Sequence, residues 1–108
     1  MTVGELGKIL DLVPFSAANT ERTVSGGYIG DLLSWVMGRA DADQVWITIM
    51  SNQNIIAVAT LTDVAMIILA EGVRPDEGVT EIAASRGINV YGSALPAFEL
   101  ATRIGSLI

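Results

Sequence analysis

The chain of 108 residues predicts an α/β fold of three layers, with helices on both faces of a mostly parallel four-stranded sheet. Two short runs, Val45 to Met50 and Ala65 to Ala70, are almost continuously apolar and rich in β-branched residues, the mark of strands covered on both faces. Around them lie stretches whose apolar residues recur at helical spacing, so helix and strand alternate. Glycine, proline and small polar residues fall largely between these stretches. Such alternation makes each crossover right-handed and directs a binding site to the loops beyond the carboxyl ends of the strands.

The elements follow in order. Thr2 and Glu5 have capping-box spacing, and Val3, Leu6, Ile9 and Leu10 then share a face, which predicts a helix from Val3 to Leu10. Val13-Pro14-Phe15 and the polar Ser16 to Glu21 read as loop, and Arg22 to Ile29 as a glycine-interrupted strand. Asp31 is placed to cap a second helix, with Leu32, Leu33, Val36 and Met37 inward and Gly38 near its end. After the strand at Gln44 to Met50 comes the polar turn Ser51 to Asn54, then a short helix carrying Ile55, Ile56, Val58 and Ala59. Beyond the Ala65 strand and the turn at Glu71 to Arg74, Pro75 stands at a first helical position with Asp76 and Glu77 to meet the dipole. Val79, Ile82 and Ala83 give that helix its face, and Gly87 stops it. Ile88 to Ser93 is the last strand, and Pro96 opens a final helix with Phe98, Ala101, Ile104 and Leu107 along one side. No repeat or linker interrupts the pattern, so residues 1–108 read as one domain.

Composition narrows the chemistry. With no Cys and no His, the chain has no thiolate nucleophile, imidazole base, disulfide or soft metal site; catalysis would fall to carboxylates and hydroxyls. Neither cofactor nor metal is expected. Six basic residues, scattered singly, against twelve acidic ones give a net charge of −6, which excludes the basic stripe that nucleic acid requires. The first residues have neither the basic start nor the apolar stretch of a signal peptide, and the apolar run Val64 to Ala70 is too short to cross a bilayer, so a cytosolic location is expected.

Two segments are candidates for ligand contact. In Ser25-Gly26-Gly27-Tyr28-Ile29-Gly30-Asp31 the glycines allow close backbone approach to an anion, but their spacing matches neither a dinucleotide fingerprint nor a phosphate loop, and a strand bend or close packing is the simpler account of them. Ser51-Asn52-Gln53-Asn54 follows an apolar strand and precedes a helix; its amides and carboxamides suit a carboxylate, a phosphate or a base edge, or else they cap the helix. The candidate ligand contacts are therefore Ser25, Gly26, Gly27, Asp31, Ser51, Asn52 and Asn54. Asp41 and Asp43 lack the further oxygen ligands a hard cation needs and read as turn formers. Trp35 and Met37 suit stacking, core packing or a dimer contact.

Glu21-Arg22-Thr23-Val24-Ser25-Gly26-Gly27, followed by Tyr28 to Ser34, resembles the DRTGG domain family, the module at the N-terminal part of HPr kinase/phosphorylase. Gln44 to Ile49, Asn54 to Ala59, Ile67 to Gly72 and Ala97 to Ala101 extend the resemblance over essentially the whole chain, with Glu21 and Ser25 standing where the family name has Asp and Thr. The resemblance implies an α/β/α domain and a regulatory, ligand-sensing role without catalysis, since these modules accompany kinases, acetyltransferases and pyrophosphatases. It also implies a bacterial or archaeal source and self-association. The expected partners are a small anionic or nucleotide-like ligand, a second copy in a homodimer, and a partner metabolic enzyme; docking to such an enzyme is the alternative to ligand sensing.

Overall fold

The computed structural model describes residues 1–108, in which α1 (Val3–Ile9) and β1 (Val13–Ser16) precede β2 (Gly27–Ile29), α2 (Leu33–Arg39) and β3 (Val45–Thr48). α3 (Asn54–Thr62), β4 (Met66–Leu69), α4 (Val79–Ser85), β5 (Val90–Gly92) and α5 (Ala97–Gly105) complete the chain. The five strands form one sheet in the order β1-β5-β4-β3-β2. β2 to β5 are parallel neighbours in sequence order, and β1 runs antiparallel beside β5. The parallel four are those the sequence predicts; β1 is a fifth, where Val13 to Phe15 reads as loop because Pro14 has no N–H. An edge strand has one side free of ladder bonds, so it tolerates that missing donor.

Alternation along β3 and β4 divides the core. Val45, Ile47, Met66 and Ile68 face α1 and α5, where Val3, Leu6, Leu100 and Ile104 pack. Trp46, Ile67 and Leu69 face α2, α3 and α4 through Val36, Ile55, Ile56, Val79 and Ala83. Because β2 to β5 advance in one direction, their crossover helices all fall on the same face, and strand order never reverses among the parallel strands. The crevice that such a reversal opens in doubly wound sheets is therefore missing here.

Local departures from the sequence expectations have identifiable causes. The capping box forms as predicted, Glu5 N–H donating to Thr2 Oγ1 at 3.2 Å and Thr2 N–H to Glu5 Oε1 at 2.9 Å. Those bonds to Thr2 hold the Glu5 carboxyl below its usual pKa. The strand expected from Arg22 shrinks to Gly27–Ile29, because Val24 N–H bonds to Met1 O, Ser25 N–H to Asp43 O, and Gly26 turns the chain at φ +133°. On α2 only Val36 is fully buried, while Leu32 and Met37, expected inward, are exposed. Ile49 is also exposed, β3 having ended at Thr48. α4 begins at Val79 rather than Pro75, since Asp76 is tied to Ser51 and Gly78 takes φ +87°. On α5, Leu100 and Ile104 point inward and Phe98 is 83% exposed.

Candidate functional site

At the carboxyl end of the parallel strands, short polar side chains tie neighbouring loops together. Asp31 does not cap α2, whose start at Leu32 has no side-chain cap. Its Oδ1 instead accepts from Thr48 Oγ1 at 2.8 Å and Ile49 N–H at 3.0 Å, and the Thr48 hydroxyl in turn accepts from Met50 N–H. Asn52 Oδ1 accepts from Asn54 N–H at 2.9 Å, the turn that starts α3. Ser51 donates to Asp76 Oδ1 at 2.8 Å while Asp76 N–H returns to Ser51 O. Glu71 N–H and Gly72 N–H reach Leu95 O and Ser93 O, so every neighbouring pair of loops at this end is joined. Carboxylates predominate here: Asp31, Glu71, Asp76 and Glu77 stand with Arg74, whose guanidinium lies over the Phe15 ring.

The amino end is held differently. Arg22, from the segment just before β2, pairs with Asp43 at 2.9 Å and with Asp63 at 2.9 Å, and also donates to Asp63 O. Asp43 and Asp63 lie before β3 and β4, so one guanidinium spans three connections. Burial draws the Arg22 pKa down, but the hydrogen bonds and charges of Asp43 and Asp63 outweigh it and leave it raised. Asn89, 2% exposed before β5, donates to Ala65 O and Asn19 O and accepts from Asn19 N–H. No side chain engages Ser25, and neither its hydroxyl nor the Gly26 N–H has a partner in the chain.

The structure thus divides the predicted contacts. Asp31, Ser51, Asn52 and Asn54 gather beyond the carboxyl ends, whereas Ser25 and Gly26 precede β2 and lie at the opposite end, with Gly27 as the first residue of that strand. The placement expected for the glycine segment fails because its strand begins within the glycine pair, at Gly27, rather than ahead of it at Arg22. A cavity of about 510 Å³ opens beside Met1, Val24, Ser25, Gly26 and Ile108. Gly27 lines a separate apolar groove of about 210 Å³ between β2 and α5, and Asn54 a groove of about 220 Å³ between α3 and α4. A further hollow of about 420 Å³ separates α1 from β1, with Glu5, Lys8 and Glu21 on its walls. No three carboxylates converge anywhere. Sequence reasoning read Asp43 as a turn former without its tie to Arg22, and missed Asp63 and Asn89 as structural groups; the one available signal was Arg22 itself, an isolated base among acidic turns.

These features define a three-layer α/β/α domain with one antiparallel edge strand. No family model matches the chain, and no curated protein does. Among solved structures it is similar to the CBS and DRTGG domains of the regulatory region of a Clostridium perfringens pyrophosphatase, crystallised with its activator diadenosine tetraphosphate, at a TM-score of 0.75 and 12% identity. The likeness covers 94% of this chain and 44% of the other, so this chain spans less than half of that one. The fold is DRTGG-like, as the resemblance of the Glu21 to Ser34 segment implies. No helix is long and apolar enough to cross a membrane.

Proposed function

We propose that this chain is a non-catalytic, cytosolic regulatory domain of the DRTGG family, homodimeric, that senses an anionic nucleotide-like ligand. The observation that carries the reading is the pair of free donors, Ser25 Oγ and Gly26 N–H, beside a cavity whose other walls are Met1, Val24 and Ile108. The donors suit a phosphate oxygen and the apolar walls suit a base; glycine leaves the backbone open to close approach. The regulatory role of the pyrophosphatase region and its nucleotide activator support the same reading. Asp31, Ser51 and Asn52 then brace loops by hydrogen bonds made within the chain, and Asn54 lines the separate groove between α3 and α4. Thermal unfolding of the whole chain with ATP, ADP and diadenosine tetraphosphate tests this: a ligand at a hundred times its Kd adds about 2.7 kcal/mol. Ser25→Glu, which sets a carboxylate at the cavity, abolishes the shift. Unchanged melting at millimolar nucleotide would sink the reading.

A second reading, docking to a partner metabolic enzyme, is favoured by α2, where Leu32 and Trp35 are 62% and 54% exposed and Trp35 stacks under Arg39 at 3.8 Å. Trp35→Glu separates the two readings: it leaves a nucleotide response intact and breaks association with an enzyme.

A further inference from the structure

The two edges of the sheet are finished in opposite ways. On β1, Pro14 removes a donor and the register shifts between Pro14 and Ser16, both devices that discourage strand addition. β2 has neither. Gly26 O accepts from Val45 N–H at 2.8 Å and Gly30 N–H donates to Ile47 O at 3.2 Å, so residues 26, 28 and 30 face β3. By the alternation of a parallel ladder, the N–H and C=O groups of Gly27 and Ile29 point to the open edge. Beside that edge runs the apolar groove floored by Val45 and Ile47 and walled by Ala101, Ile104 and Ile108, with Ile29 and Ile108 each nearly half exposed.

We infer that the free edge of β2 pairs with the same edge of a second copy, antiparallel about a two-fold axis at Tyr28. This rests on the homodimer proposed above and names its interface. In that register Gly27 of one copy lies opposite Ile29 of the other, and the two pairs exchange four backbone hydrogen bonds while Tyr28 meets Tyr28. Charge selects a second copy as occupant. The chain carries −6, yet no side chain of the strand or of the groove is ionisable other than the Tyr28 phenol. The carboxylate that follows the strand, Asp31, is held back onto β3 by Thr48 and Ile49, and Arg103 on α5 is paired with Glu99. A basic or acidic partner finds nothing to complement on this strip, whereas two copies meet there with least repulsion and with matched donors and acceptors.

Because the chain has no Cys, one introduced thiol reports a single contact. Tyr28→Cys lies on the axis at a non-hydrogen-bonded pair, where Cα atoms are about 4.5 Å apart, within disulfide range. Mild oxidation is expected to give a covalent dimer, and Thr102→Cys, on the exposed side of α5, none. Sedimentation of the unmodified chain should give a dimer that Ile29→Lys converts to a monomer with its circular dichroism unchanged. A chain that sediments as a monomer at hundreds of micromolar overturns the homodimer itself. A dimer that survives Ile29→Lys overturns this edge and leaves the homodimer standing. If Tyr28→Cys does not fold, the Ile29→Lys sedimentation result decides alone.

Discussion

The carboxyl and amino ends of the sheet are both stitched, but with different chemistry. At the carboxyl end short side chains bond to the nearest backbone or hydroxyl: Asp31 to Thr48 and Ile49, Asn52 to Asn54, Ser51 to Asp76. At the amino end one guanidinium and one buried carboxamide each span several connections, Arg22 reaching Asp43 and Asp63 and Asn89 reaching Asn19 and Ala65. The first arrangement consumes the polar groups of Asp31, Ser51 and Asn52 that accept or donate there, leaving the Asn54 carboxamide without a partner in the chain. The second does its work at a distance and leaves Ser25 and Gly26 open. In a sheet whose parallel strands never reverse order, no crevice marks one end as the site, so the proposed contacts rest on the free donors alone.

Substitutions can break or sharpen that contrast. The largest effect is expected at Asn89, where Asn89→Ala leaves buried groups of Ala65 and Asn19 without partners and lowers stability by about 3 kcal/mol in urea unfolding. Arg22→Ala should cost about 1.5 kcal/mol, discounted because Asp43 and Asp63 are more than half exposed; Arg22→Lys, lacking the planar fork, recovers only part of it. Asp31→Ala is expected to cost about 1 kcal/mol, and Asp31→Asn, which keeps an acceptor for Thr48 and Ile49, about half as much. A larger loss at Asp31 than at Asn89 would invert the ranking of the two ends. Smallest is Ser25→Ala, within about 0.5 kcal/mol of the parent in the same measurement, because the hydroxyl bonds to nothing in the chain.

The core of the fold was legible from residue type alone. Continuous apolar runs identified β3 and β4, and Thr2 with Glu5 identified the start of α1, because burial on both faces and capping are local properties of sequence. β1 was not legible: Pro14 speaks against a strand until the partner across the edge is known. Pro75 failed for a similar reason, its helix displaced to Val79 by the long-range tie between Ser51 and Asp76. The candidate residues were recognisable as polar groups beside glycines or just past an apolar strand, but their division between opposite ends depends on where β2 begins. That follows from bonds to Met1 and Asp43, distant in sequence.

The place of β1 carries a consequence for how the molecule assembles. β2, β3, β4 and β5 each pair with a neighbour in sequence order, so that part of the sheet can grow by short loop closures as the chain emerges from synthesis. β1 is made first and must wait, since its partner is β5 and the bond from Ser16 to Ile88 O closes a separation of 72 residues. The N-terminal strand docks last, and its amides should be the first in the sheet to exchange with solvent deuterium.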